Sequence, residues 1–340
     1  MNKRTRRTLL VVAAVLLMLA VAIFLRSKAP PESARLLPES DGIVYLNLRP
    51  MRVFLHKQAK PPQRVPEYQQ FVDATGVDWE QDLDEAAIAL HRMDDPRGPN
   101  GPVAYSMVLV GKLTGQRLKN WLETHAVSRE SYAGHSVYSI PSEGRTVRVA
   151  QIGYDTVAIS NFPTPEKIHS ILDRHATAAW PFAGSTLLTR HYHDVPLLAQ
   201  AWGVGQIALP FSESGAIQVF GFKLPLVDSS TIIASVAPAL QLSGALQLRV
   251  EEIAPSDEAA ASQAASLTAL IGLARGLSSP LGENKANNGL KALLLSAEVT
   301  PRRNRVVLTA TLSRAQLASL ADEENSSEIP APNPAPPASK

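Results

Sequence analysis

Two of the chain's eight histidines lie beside a carboxylate, in the segment Arg190-His191-Tyr192-His193-Asp194. If this segment were a strand, His191 and His193 would project from one face, and their imidazoles could occupy two positions of a metal site. A metal-assisted hydrolase is a function that such a site could support. A third ligand would still be needed, and Asp194 would point to the opposite face of the strand.

The neighbouring residues favour a helix that stops ahead of Pro196, because a proline disfavours helical geometry in the residue before it. On a helix, residues two positions apart diverge by about 200°, so His191 and His193 would not bind one ion together. Histidine also suits the last turn of a helix, where its charged form meets the negative end of the dipole. His191, His193 and Asp194 therefore remain weak metal candidates, and we assign no catalytic residue.

The sequence lacks the common catalytic motifs, including the phosphate loop, H-E-x-x-H and G-x-S-x-G. Gly203-Val204-Gly205 lies inside a strand-like run and does not open a helix, unlike a dinucleotide-binding loop. The chain has no cysteine, which excludes disulfides and thiolate catalysis. We predict a protein that is not an enzyme and that needs no cofactor.

The formal net charge is +2, and much of the basic excess lies in the first residues of the chain. Binding to nucleic acid requires Lys and Arg clustered on the folded part. The only such run there is Arg302-Arg303-Asn304-Arg305, which is typical of a hairpin turn. We therefore expect no nucleic-acid partner.

The N-terminus combines a basic tip, residues 1–8, with an uninterrupted apolar run, residues 9–25. This run predicts a transmembrane helix that contacts the lipid bilayer, since it is nearly long enough to cross the hydrocarbon core. A cleaved signal peptide is the alternative, but its apolar region is usually shorter and ends in small residues. Because the basic cluster precedes the helix, we expect the N-terminus in the cytoplasm and the body outside the inner membrane.

The rest of the chain divides into a stalk at 26–35, a first α+β module at 36–180 and a second at 181–321. The tail at 322–340 is acidic and then rich in Pro and Ala, which predicts disorder. Turn-linked strands indicate antiparallel sheets, and we expect helices packed on one face of each.

The two halves share an order of strand, strand pair, helix, hairpin and helix, which indicates an internal repeat. In the second half, a helix is expected from Ser256 to about Leu277, then a hairpin of Leu290–Val299 with Arg305–Leu312. The alternative is that alternation of this kind occurs in any α+β chain.

The stretches LLPESDGIVYLNL, FVDATGVDWEQDLDEAAIAL and VPLLAQAWGVG resemble a group of uncharacterised bacterial membrane-anchored proteins. The second stretch carries their G-x-D-x-x-x-D-L-D segment, which here begins at Gly76 and ends at Asp84. The resemblance implies a duplicated extracytoplasmic α+β body, and it supplies no activity or site residue. We therefore expect a single-pass binding or scaffolding protein of the cell envelope, whose body binds either another envelope protein or an unknown ligand between its two halves.

Overall fold

The computed structural model describes residues 29–50, 66–98, 101–113, 115–142, 144–177, 183–206, 230–239, 244–277 and 285–316, and the positions 12, 18, 218–219 and 222–223. The predicted basic tip, transmembrane helix and tail lie outside the described residues, except that Val12 and Met18 are helical. Within the described ranges, no helix is both long enough and apolar enough to cross a membrane.

The structure gives bounds for eight α-helices, which lie between groups of strands along the chain. They are α1 Glu32–Arg35, α2 Pro66–Thr75, α3 Trp79–Asp82, α4 Gln116–His125, α5 Glu166–Ala176, α6 Thr186–His191, α7 Asp257–Leu277 and α8 Lys285–Ser296. A short 3-10 helix, Tyr192–Asp194, directly follows α6.

The strands of the first half are β1 Gly42–Asn47, β2 Leu83–Arg92, β3 Val103–Gly111, β4 Ser128–Tyr132, β5 His135–Ser142, β6 Arg145–Gln151 and β7 Thr156–Ser160. Those of the second half are β8 Ala201–Gln206, β9 Gln218–Val219, β10 Phe222–Lys223, β11 Thr231–Pro238, β12 Leu246–Ile253, β13 Glu298–Arg302 and β14 Arg305–Leu312.

Twelve of these strands form one antiparallel sheet, in the order β13-β14-β12-β11-β8-β1-β2-β3-β7-β6-β5-β4. β1 and β8 pair at its centre, with Ile43 opposite Val204 and Leu46 opposite Ala201. The remaining pair, β9 and β10, forms a separate two-stranded sheet. The two halves of the sequence are therefore joined edge to edge, and the predicted α+β class with antiparallel sheet is confirmed.

Helices cover both faces of the first half, so the prediction that they pack on one face was wrong. On the first face, which carries Ile43, the core includes Ile168 and Leu172 of α5. The second face carries Leu109. Against this face pack two residues of α4, Leu118 and Leu122. The reason for helices on both faces is visible in the sequence. Consecutive apolar residues such as Val108 and Leu109 point to opposite faces of the sheet, and both are buried, so each face needs helices to cover it.

The predicted helix from Ser256 to about Leu277 is confirmed as α7. The Ser256 hydroxyl accepts a 3.2 Å hydrogen bond from Ala259 N, which caps the first turn. Ala260, Ala264 and Leu267 form the buried stripe of this helix. Their spacing of four and three residues explains why the helix could be predicted.

The predicted hairpin of Leu290–Val299 with Arg305–Leu312 is only half correct. β14 and the turn are present, but residues up to Ser296 belong to α8, and the partner strand is Glu298–Arg302. The segment KANNGLKALLLS contains good helix formers and no β-branched residue, so its apolar run is helical.

Candidate functional site

The predicted candidates lie where the chain passes from the first half to the second. The Ser185 hydroxyl accepts a 3.4 Å hydrogen bond from Leu188 N and caps the start of α6. α6 ends at His191, and the 3-10 turn ends at Asp194, two residues before Pro196. The prediction of a helix that stops ahead of this proline is confirmed.

The two imidazoles differ in environment, and the Asp194 carboxylate lies between them. The side chain of His193 is 70% exposed, whereas that of His191 is 13% exposed. His193 Nε2 lies 3.4 Å from Asp194 Oδ1, and His191 Nδ1 lies 4.0 Å from Asp194 Oδ2. Burial lowers the pKa of His191, and the Asp194 charge partly opposes this effect.

Asp194 makes its closest contact with a residue from the far end of the chain. Arg305 Nη1 lies 2.9 Å from Asp194 Oδ1 and 3.1 Å from Glu251 Oε2. The second oxygen of Glu251 is 2.6 Å from Arg249 Nε. Glu251 is buried. The cluster contains two guanidinium groups, of Arg249 and Arg305, and two carboxylates, of Asp194 and Glu251, so its charges balance.

This cluster has the chemistry of a structural ion-pair network. A metal would need at least three converging ligands, and the Asp194 oxygen nearest His193 is already paired with Arg305. Across the part of the chain that the structure describes, no group of three or more His, Asp or Glu side chains has the arrangement of a metal site. The observed contacts link the 3-10 turn to β12 and β14.

A second polar cluster lies inside the sheet, and the sequence pattern did not predict it. His91 Nε2 is 2.9 Å from the Ser106 hydroxyl, which is 3.0 Å from the Ser160 hydroxyl. These residues belong to β2, β3 and β7, and Ser106 pairs directly with Ser160. The alternation of side chains along a strand could assign each of these residues to one face of its strand. Only the order of the strands in the sheet brings the three together.

A histidine bonded to a serine hydroxyl is also how a catalytic nucleophile is activated. Here burial lowers the pKa of His91 to about 4, with a smaller contribution from the Lys167 charge, so the imidazole is neutral at pH 7. However, Ser106 has 0% exposed surface and Ser160 has 1%. In this conformation the hydroxyls are sealed from substrate, and the cluster satisfies buried polar groups.

A third cluster attaches the outermost strand of the first half to α5. The Tyr132 and His169 rings stack with centroids 3.7 Å apart. Tyr132 donates a 3.0 Å hydrogen bond to Asp173, and His169 Nε2 lies 2.9 Å from Glu130 Oε1. The hydrogen bond to Asp173 raises the pKa of Tyr132. These contacts hold β4 in place.

No protein-family model and no curated protein matches the sequence. Among solved structures, the chain is similar to crystal form I of TP0453, with 11% identity and a TM-score of 0.42 over 88% of this chain and 100% of that one. It is also similar to crystal form III of TP0453, with 11% identity and a TM-score of 0.44 over 86% of this chain and 99% of that one. Likeness at this level gives no information about function.

Proposed function

We propose that the chain is a non-enzymatic binding or scaffolding module of the bacterial cell envelope. In this proposal, residues 9–25 span the inner membrane once, with the N-terminus in the cytoplasm and the body outside it. The proposal is supported by the uninterrupted apolar run behind a basic tip.

The ion pair between Asp194 and Arg305 is the observation that favours a binding role over catalysis. It places the carboxylate of the candidate site in a 2.9 Å contact with a guanidinium, which also lies 3.1 Å from Glu251. A general base or a metal ligand would need that carboxylate to be available to a substrate or an ion. Used internally, it links the connection between the halves to β12 and β14, which suits a scaffold.

We also propose that the body is an internal duplication. Outward from the centre, β1-β2-β3-β7-β6 has its counterpart in β8-β11-β12-β14-β13. The helix after the third strand of each series, α4 or α7, packs on the second face: Leu122 belongs to the buried cluster of Leu109, and Ala264 belongs to that of Val306. An approximate two-fold axis between β1 and β8 would relate the series.

The junction between the halves is filled by aromatic side chains, so we propose that the partner binds the outer surface. The Tyr45 and Trp202 rings stack 5.4 Å apart, and Tyr192 meets Trp202 edge-on at 5.5 Å. Tyr45 and Trp202 are buried, and burial raises the pKa of Tyr192. An envelope protein is the partner class that fits a membrane-tethered body.

Cross-linking in intact cells tests this proposal. Since the chain has no cysteine, single cysteines can be placed at exposed positions, such as Tyr154→Cys at 84% exposure and Val127→Cys at 72%. We expect discrete heteromeric adducts from some positions only, in the membrane fraction. Recovery of the protein alone from every position would contradict a scaffolding role.

A further inference from the structure

Leu197 and Leu198 occupy the corner of a tight turn and are unusually exposed. Ala199 N donates a 3.0 Å hydrogen bond to Pro196 O, which closes a four-residue turn around them. Leu197 is 60% exposed and Leu198 is 55% exposed. Turn corners normally carry Gly, Asn, Asp, Ser or Pro, so two adjacent leucines there run against local preference.

The turn is held in place on both sides. Before it, Val195 is buried and Asp194 is paired with Arg305. After it, Gln200 N donates a 2.8 Å hydrogen bond to Val236 O, and Asn47 N donates a 2.7 Å hydrogen bond to Gln200 O. The two leucines are therefore presented by a fixed backbone.

The chain enters the body at the same end of the sheet. Near the entry, the Ser33 hydroxyl donates a 3.1 Å hydrogen bond to Glu85. Glu85 pairs with Asn47, whose N–H is bonded to Gln200. Since neighbouring strands are about 4.8 Å apart, Glu85 on β2 and Gln200 beside β1 are separated by about 10 Å.

The proposed membrane anchor ends close to this point. Only residues 26–28 separate Leu25 from Ala29, the first residue of the continuously described body. Even a fully extended chain would cover about 14 Å over those four steps. The end of the sheet that carries Leu197 and Leu198 would then lie within reach of the membrane surface.

We propose that the Leu197-Leu198 turn inserts into the surface of the bilayer that holds residues 9–25, and so orients the body on the membrane. This inference rests on the proposed anchoring. The anchor already confines the body near the lipid, so a small apolar contact is enough to fix its orientation. Arg49, at the same end of the sheet, has a side chain that is 59% exposed and could contact lipid phosphates while paired with Asp84.

Lipid-dependent fluorescence quenching of the full chain tests this contact. A Leu198→Cys variant carries an environment-sensitive fluorophore and is reconstituted in vesicles of phosphatidylcholine and phosphatidylglycerol, with or without spin-labelled lipid. The matched control is Val127→Cys, labelled identically, because Val127 is also an exposed apolar residue and precedes β4 at the outer edge of the sheet. We expect a blue shift and loss of emission at position 198, and neither change at position 127.

Flotation of the same vesicles separates the two possible failures. If the protein floats with the lipid but the label at position 198 is quenched no more than the label at 127, the membrane contact is wrong while the anchor stands. If the protein does not float, the proposed anchor is wrong and the inference falls with it. Quenching at 198 that disappears in a Leu197→Ser background would support insertion of the leucine pair.

Discussion

Arg305 Nη1 lies 2.9 Å from Asp194 Oδ1 and thereby joins the first residue of β14 to the connection between the halves. The same nitrogen lies 3.1 Å from Glu251 on β12. The side chain of Asp194 is 13% exposed, so solvent only partly screens the pair. This contact links the predicted candidate residues to the sheet.

Replacing Asp194 by asparagine should destabilise the protein. Asp194→Asn keeps the shape of the side chain but removes the charge that faces Arg305. We expect the free energy of unfolding to fall by about 2 kcal/mol, the scale of a hydrogen bond to a charged group. Urea denaturation of the two proteins measures this difference.

Asp73→Asn is the matched control, because Asp73 makes an exposed hydrogen bond with Gln69 on α2. We expect its effect to stay within about 0.5 kcal/mol, as for most surface substitutions. Equal effects of the two substitutions would show that the Asp194 pair has no special structural role.

The outline of the candidate site could be predicted from the sequence, but its partners could not. Pro196 and the two leucines before His191 fix a helix that ends near Asp194, and this is a local effect. Arg305 was visible only as part of a turn-like basic run. Its contact with Asp194 depends on the pairing of β12 with β14, which brings distant segments together.

Buried His91 should make stability depend on pH. Its pKa in the folded protein is about 4, below the ordinary value of 6.5, because burial disfavours the charged imidazole. The unfolded chain therefore takes up a proton between these two values, whereas the folded chain does not. This contribution to the free energy of unfolding is complete above pH 6.5. It is lost as the pH falls from 6.5 through 4, and the loss amounts to about 3 kcal/mol.

The variant His91→Gln should flatten this dependence, since glutamine can bond to Ser106 but does not titrate. Unfolding free energies at about pH 4.5 and about pH 7 should differ less in the variant than in the parent chain. His193→Gln, at a side chain that is 70% exposed, should retain the parent slope. A parent slope that survives in His91→Gln would exclude His91 as its source.

Local patterns were sufficient to predict some elements, whereas one missed element is held by residues that are distant in the sequence. The stripe of Ala260, Ala264 and Leu267 specified α7 without reference to the sheet. The hairpin of β4 and β5 was not predicted, because β4 is mostly exposed and has no apolar alternation. Tyr132 and Glu130 hold β4 through α5 contacts that the sequence does not show.

Pro301 should protect the edge that β13 forms in the described part of the sheet. Arg302 and Arg305 face each other across a two-residue turn, so their backbones form hydrogen bonds to each other. Hydrogen-bonded pairs alternate with pairs that are not hydrogen-bonded, so the backbone of Pro301, the next residue along β13, faces outward. Proline has no N–H, which removes a donor from this edge. Pro301→Val should therefore cause concentration-dependent self-association, measured by sedimentation velocity.

Thr300→Val separates the effect of a new backbone donor from the effect of added apolar surface. The backbone of Thr300 faces β14 through Val307, so this substitution replaces a hydroxyl by a methyl group on a β-branched side chain without adding an outward donor. We expect this variant to sediment like the parent chain. Association of both variants to the same extent would mean that added apolar surface, and not the new N–H, causes it.

The turn between β4 and β5 holds Ala133 at φ 47°, followed by Gly134 at φ 80°. Two successive positive φ values define a type I′ turn, in which Asn-Gly is the preferred pair. Alanine in this conformation costs about 1 kcal/mol, so Ala133→Asn should raise the free energy of unfolding by about that amount. The turn is next to Tyr132, which donates a hydrogen bond to Asp173, so stabilisation of the turn should increase the stability of the whole body.

Ala133→Val should lower the free energy of unfolding, measured by the same urea denaturation, because a β-branched side chain tolerates positive φ poorly. Indistinguishable midpoints for the asparagine and valine variants would mean that the backbone at position 133 is not constrained in this way.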